Sequence, residues 1–223
     1  MPSEVLAFDV NETLLDLRAL DAPFTRAFGD ASLRPVWFQT MLQLAFVGGI
    51  TGEYVDFTTA QHAALKMVAL RAGKTLPADA IKGIVDGMRH LPPHPDVPDA
   101  LRKLKAAGFR QVTLTNSTLE VARAQMESAG LADLFEATIS ADEVRRLKPA
   151  AEPYRLVAER TGVPLSSIRL IAAHAWDVSG ALAAGANAAF VARPGAVASP
   201  IGAQPDITGR DIADVAEQLI ARG

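Results

Sequence analysis

From Val97 onward, short apolar runs alternate with helical stretches, most of them closed by a glycine, and few folds accommodate that pattern. Pro98 to Ala107 reads as a helix stopped by Gly108, Gln111 to Thr115 as a strand, and Leu119 to Ala129 as a helix closed by Gly130. Ala137 to Ser140 is a short strand, Pro153 to Thr161 a helix, and Ile168 to Ala172 a strand. Val178 to Ala184 is a helix closed by Gly185, Ala188 to Val191 a strand, and Asp211 to Ala221 a last helix. Strands separated by helices are too far apart in sequence for hairpins, so they pair in parallel.

One further strand, Val5 to Phe8, stands alone near the N-terminus. Between about Asp16 and His90 no convincing strand follows it. Trp37, Met41, Leu42, Leu44 and Ala45 recur at helical spacing, and Thr58 to Arg71 and Ala78 to Met88 read as two more helices. Pro35 fits a first helical turn and Gly73 a helix end. Leu91-Pro92-Pro93-His94-Pro95 breaks the pattern and returns the chain to strands. The expected fold is therefore α/β: a Rossmann-like, doubly wound parallel sheet core over 1–15 and 93–223, with an all-helical cap domain inserted over 16–92. A cap above the carboxyl ends of the strands would exclude water from a site there.

Composition narrows the function. The 223 residues are 49% hydrophobic, enough for a sizeable core. A net charge of −3 with no long basic run argues against nucleic acid and membrane surfaces as partners. The absence of cysteine removes disulfides, thiolate nucleophiles and Cys-ligated metals. No leader segment or membrane-length apolar run is visible, so a cytoplasmic protein is expected.

Asp9 ends the lone apolar strand. On its own it reads equally well as a helix N-cap or as a site carboxylate at the carboxyl edge of a sheet. Three more polar groups fall at strand ends or the loops after them: Thr115-Asn116, Lys148 and Asp177. Each alone is an ordinary turn or surface group. An aspartate, a hydroxyl, a lysine and an aspartate in that order on one edge make a far more specific pattern.

These residues resemble the four motifs of the haloacid dehalogenase superfamily, at Asp9 to Thr13, Thr115-Asn116, Lys148-Pro149 and Ala172 to Asp177. The chain is most similar to the L-2-haloacid dehalogenase (type II) family, through Phe8-Asp9 with Thr13-Leu14, Lys148-Pro149 with Tyr154, and Ala175-Trp176-Asp177. The resemblance spans essentially the whole chain, the helical insert included. It implies a homodimer.

Most members of the superfamily transfer phosphoryl groups with Mg²⁺. They need an aspartate two residues after the nucleophile and an acidic ligand four residues before the final aspartate; this chain has Asn11 and Ala173 there. A carboxamide cannot exchange a proton at neutral pH, and Mg²⁺ is usually held by carboxylates. Hydrolysis at carbon without metal or cofactor is therefore expected. The resemblance implies that Asp9 displaces halide from a small 2-halo carboxylic acid, forming an ester that water opens to a D-2-hydroxy acid. Lys148 would keep Asp9 ionised and steady the oxyanion, while Thr13 and Thr115 would aim its carboxylate. Tyr154 would orient Lys148 or form pocket wall, Asn116 would contact the halide, and the amides around Val10 and Asn11 would hold substrate.

The chain departs from the family at three places. The family cap carries an Arg directly after a Trp, whereas Trp37 is followed by Phe38, and these two are expected to bind substrate. Either halide and substrate are bound differently, with Arg34 one turn earlier as a replacement or a surface charge, or the substrate or activity has changed. Glu12 stands for the usual glycine before Thr13, and Ala172-Ala173-His174 for Ser-Ser-Asn. The first strand and the Ile168 strand are neighbours in the superfamily, so Glu12 and His174 should meet beside Asp9. An imidazole oriented by a carboxylate suits a general base near neutral pH, and the pair is expected to activate the hydrolytic water, with Asp177 supporting Lys148. His62, His90 and His94 read as cap or linker residues. The competing functions are a Mg²⁺-dependent small-metabolite phosphatase and a dehalogenase-like protein of altered or lost activity.

Overall fold

The computed structural model describes residues 4–222. Its sheet has six parallel strands in the order β3-β2-β1-β4-β5-β6. These are β1 (Val5–Phe8), β2 (Arg110–Thr115), β3 (Ala137–Ser140), β4 (Ile168–Ala172), β5 (Asn187–Val191) and β6 (Ile207–Gly209). The chain winds outward from β1 to β3, then crosses back to β4 on the other side of β1. The winding direction therefore reverses between β1 and β4, where open α/β sheets leave a crevice at their carboxyl ends.

β1 lies at the centre because it is buried on both faces: all of Val5, Leu6, Ala7 and Phe8 are inaccessible. Its side chains alternate as a strand requires. Val5 and Ala7 join Val112, Leu114, Leu170 and Tyr154 in one apolar cluster. Leu6 and Phe8 join a second, which runs on through Leu14, Phe24, Trp37, Met41, Phe57 and Leu65.

That second cluster ties the inserted helices to the sheet. The insert carries α1 (Asp21–Phe28), α2 (Leu33–Thr51), α3 (Phe57–Arg71) and α4 (Ala78–Gly87). Asp56 caps α3 by accepting from the Thr59 amide at 2.9 Å, and Gly29 and Gly52 close α1 and α2 in left-handed conformations. The core helices are α5 (Val97–Ala106), α6 (Leu119–Ser128), α7 (Ala151–Thr161), α8 (Ala175–Ala184) and α9 (Ile212–Arg222). No helix among the described residues is long and apolar enough to cross a membrane.

Two elements differ from the sequence reading. β6 lies in a Gly- and Pro-rich stretch that reads as loop; three residues are too few for a periodic signal, and pairing with β5 alone defines the strand. Helix α8 begins at Ala175, one turn earlier than its apolar periodicity suggests, so His174 stands at its N-cap position.

Gly180 marks the tightest contact behind the site. A Cβ there would lie 2.6 Å from Pro149 Cβ and from Tyr154 Oη, so α8 touches the Lys148-Pro149 loop directly. Gly180→Ala should gain about 1 kcal/mol of helix propensity and lose about 1–3 kcal/mol to overpacking. A net fall in melting temperature by calorimetry is expected, together with slower turnover as the loop is displaced; an unchanged melting temperature would show that the loop yields.

Candidate active site

The site forms where β1 and β4 end side by side. The Asp9 amide donates to Ile171 O at 3.0 Å, prolonging the ladder by one bond and fixing where the carboxylate leaves the sheet. The chain then turns tightly, with Leu14 N and Leu15 N donating to Val10 O at 2.9 and 3.0 Å. Thr13 closes the turn: its hydroxyl donates to Asp9 Oδ2 at 2.6 Å and accepts from the Ala173 amide at 2.9 Å. Arg193 donates to Thr13 O through Nε and Nη2 at 3.2 and 2.9 Å. His94 Nε2 lies 3.1 Å from Glu12 O. Glu12 itself adopts φ of 63°, a left-handed conformation that suits glycine and costs another residue roughly 1 kcal/mol.

Lys148 occupies the centre with no exposed surface. Its ammonium donates to Asp9 Oδ1 at 2.9 Å, to Leu114 O at 2.8 Å and to Asp177 Oδ2. Asn116 fixes the lysine backbone, accepting from Lys148 N at 2.8 Å and donating to Lys148 O at 3.1 Å. The Tyr154 hydroxyl donates to Asp177 Oδ1 at 2.6 Å.

One ammonium thus serves two buried carboxylates. Burial opposes ionisation of Asp9, but the Lys148 charge, His174 and the hydrogen bonds from Thr13 and Lys148 outweigh it and hold Asp9 below the ordinary carboxylate value. Burial, with the charge of Asp9, keeps Asp177 above that value despite Lys148 and Tyr154. Burial would neutralise Lys148, yet the charges of Asp177 and Asp9 raise its pKa. The outcome is a desolvated, ionised Asp9 with each oxygen aimed by a hydrogen bond.

His174 stands over Asp9, its Nε2 3.7 Å from Asp9 Oδ2, 3.8 Å from Glu12 Oε2 and 3.1 Å from Asn11 O. Its ring stacks between Phe38 and Trp176, with centroids 5.8 and 5.2 Å away. Burial raises the Glu12 pKa, against the attraction of His174 and Arg34. A cavity of about 440 Å³ opens on the far side of this layer, lined by Glu12, Arg34, Phe38, His94, His174 and Trp176 among others.

The structure brings together Asp9, Glu12, Thr13, Lys148, His174 and Asp177, and it corrects several individual assignments. Thr115 does not reach Asp9; its hydroxyl accepts from the Ser117 amide at 3.1 Å. The Asn116 amide is held at both ends by the Lys148 backbone, so it positions the lysine, while its second N–H makes no hydrogen bond among the described residues. Tyr154 acts on Lys148 only through Asp177. The Asn11 side chain donates to Ser117 Oγ at 3.2 Å and accepts from Gln125 Nε2 at 3.0 Å, which turns it toward α6. Val10 is wholly buried, and the Val10 and Asn11 amides donate to no backbone acceptor among the described residues. Trp37 does not line the cavity: it is fully buried, donates from Nε1 to Gln61 O at 3.0 Å and packs on Phe24. Sequence reasoning missed His94 and Arg193, which brace the Asp9 loop from segments about 80 and 180 residues away and carry no local signal.

The residues fit a Mg²⁺ site poorly. No group of three or more His, Asp or Glu among the described residues is placed to hold a metal. Ala173 offers no ligand, and the Asn11 carboxamide is committed elsewhere.

Fold and site together define an α/β hydrolase with a helical insert and a buried Asp9–Lys148–Asp177 network at the carboxyl edge of its sheet. A family model described as haloacid dehalogenase-like hydrolase matches residues 4–185, and the chain belongs to that family. It is 30% identical over 203 residues to an (S)-2-haloacid dehalogenase of Pseudomonas sp. (strain YL), covering 90% of this chain and 88% of that protein. It is 30% identical over 207 residues to haloacetate dehalogenase H-2 of Moraxella sp. (strain B), covering 92% of each. The solved structure of L-2-haloacid dehalogenase from Xanthobacter autotrophicus superposes with a TM-score of 0.91 at 25% identity, over 99% of this chain and 98% of that one.

Lys148→Met would leave two buried carboxylates without a counter-charge, at a cost of about 3–5 kcal/mol. Their folded pKa values would then exceed the unfolded ones. The variant's remaining stability is therefore fullest below the unfolded carboxylate pKa and falls as pH rises through the raised folded values. Thermal melts should show a larger deficit against the parent at pH 8 than at pH 5; an equal deficit at both would contradict this charge balance.

Proposed function

We propose that the protein hydrolyses short-chain L-2-halo acids to D-2-hydroxy acids and halide. The observation that carries this reading is the state of Asp9: a buried carboxylate kept ionised by Lys148, beside a loop whose position 11 offers no proton donor. Such a group is an oxygen nucleophile matched to a carbon electrophile whose leaving group departs as a stable anion.

In the first half-reaction an Asp9 oxygen attacks C2 from the side opposite the halogen. The C–O bond forms as the carbon–halogen bond breaks, and the halide leaves with the bonding pair, inverting C2. In the second, water adds to Asp9 Cγ and the Cγ–O bond to the substrate breaks while C2–O stays intact; the leaving alkoxide takes back the proton held by His174 to give the hydroxy acid, and the freed Asp9 carboxyl releases one proton to solvent. Lys148, at Asp9 Oδ1, and Thr13, at Asp9 Oδ2, stand ready to stabilise the tetrahedral oxyanion.

His174 takes the proton of the attacking water, and Glu12 stabilises the resulting imidazolium. Nε2 lies within one water's reach of the Asp9 carboxylate, which supports this role. It requires the tautomer protonated on Nδ1, because the Nε2 contact with Asn11 O otherwise uses that nitrogen as a donor. The proposed enzyme is a homodimer, a reading supported by Val47 and Ile50 of α2, 49% and 86% exposed.

Halide release from L-2-chloropropionate and bromoacetate, with EDTA present, is the direct test; none is expected from Asp9→Asn. His174→Ala should release about one halide per active site, then stall by roughly 10²–10⁴-fold, with mass spectrometry finding the substrate's carbon skeleton on the Asp9 peptide. Turnover at the parent rate would exclude His174 as the base. Glu12→Gly separates catalysis from folding: relief of the left-handed backbone should hold or raise the melting temperature while turnover falls. Loss of both together would make Glu12 a structural residue.

A further inference from the structure

We propose that Arg34 binds the substrate carboxylate and so determines that the enzyme acts on acids. The proposal rests on the dehalogenase reading above, and it concerns a residue outside the nucleophile's hydrogen-bond network.

Arg34 lies on α2 four residues before Phe38, so the two share one face of the helix. Its side chain is 13% exposed and lines the cavity together with Phe38, Glu12 and His174. The Arg34 Nε donates to Asp21 Oδ1 at 2.6 Å, which pins the guanidinium in place. Its Nη1 and Nη2 make no hydrogen bond among the described residues; Nη1 lies 3.8 Å from Glu12 Oε1, too far for one.

The other cations at this cavity are occupied. Arg18 is 63% exposed and forks onto Asp16, with Nη2 at 2.7 Å from Oδ2. Arg193 is divided between Thr13 O and Asp96. Lys148 does not line the cavity and is saturated by Asp9, Asp177 and Leu114 O. Arg34 is thus the half-buried cation of the cavity with a free pair of donors, and a planar guanidinium presents such a pair to a carboxylate with matching geometry.

Glu12 is a protein carboxylate beside these free donors, and it does not use them. Its two oxygens sit 3.8 Å from Arg34 Nη1 and 3.8 Å from His174 Nε2, between both groups and hydrogen-bonded to neither. A substrate carboxylate that bonds Arg34 gains contacts which Glu12 does not make in the resting protein. The chain of neighbours Arg34, Glu12, His174 and Asp9 then sets the pose. Asp9 does not line this cavity, so with the carboxylate at Arg34, C2 reaches Asp9 only past the His174 ring, and the halogen and alkyl group lie along Phe38 and Trp176. Phe38 is an apolar wall in this arrangement, and the charge that recognises the acid comes from one turn earlier on the same helix.

Binding without chemistry tests this independently of dehalogenation. Titration calorimetry with propionate and propionamide should show the parent favouring the acid, and Arg34→Gln should weaken propionate by about tenfold or more while leaving propionamide unchanged. Arg34→Lys keeps the charge but not the fork and should recover part of the affinity, with circular dichroism reporting that both variants fold. In turnover, KM for L-2-chloropropionate should rise far more than kcat falls, and the preference for acid over L-2-chloropropionamide should collapse. Equal propionate affinity in parent and Arg34→Gln would overturn the assignment of Arg34. Arg34-dependent propionate binding by a parent that releases no halide from any halo acid would uphold Arg34 and overturn the dehalogenase reading.

Discussion

The buried ammonium of Lys148 organises the site. A cation with no exposed surface is stable only where charge and hydrogen bonds replace its water, and Asp9, Asp177 and Leu114 O provide them. The requirement spreads outward. Asn116 holds the lysine backbone, Tyr154 holds Asp177, and Gly180 lets α8 close on the loop that follows Lys148. In return the lysine keeps Asp9 charged in a buried setting, where an unpaired carboxylate would take up a proton.

Around this centre the chain has exchanged groups and kept the frame. Glu12 and His174 stand at positions where the first-strand turn and the β4 loop meet, and they introduce a carboxylate and an imidazole within 4 Å of one another. The left-handed backbone at Glu12 is energetically costly, and it persists because the turn is braced from three sides, by Thr13, His94 and Arg193. His174 in turn is held by stacking between Phe38 from the inserted helices and Trp176 from the core. The layer above Asp9 is therefore built from both parts of the fold.

Most of the architecture is legible in the amino-acid sequence. β1 falls on the apolar run that suggests it, because a strand buried on both faces leaves an unbroken apolar stretch, and β3 and β4 keep the bounds that their alternation with helices suggests. Short β6 left no such mark. Asp9, Lys148 and Asp177 were legible because their chemistry is rare at strand ends and their order is specific. The roles of Thr115, Asn116 and Trp37 were not. A hydroxyl, an amide or an indole beside a site bonds whichever partner the local backbone offers, and here those partners are Ser117 N, the Lys148 backbone and Gln61 O.

The amino-acid order alone determined the parallel sheet, the helical insert and the identity of the charged groups at one edge, since periodicity and residue chemistry are local properties. Tertiary structure decided which of those groups touch. It placed His94 and Arg193 beneath a loop far away in sequence, set Asn116 on the lysine rather than in the pocket, and turned Arg34 into the cavity beside Glu12. Those outcomes depend on side-chain direction and on which strands become neighbours. Both arise only when distant segments pack together.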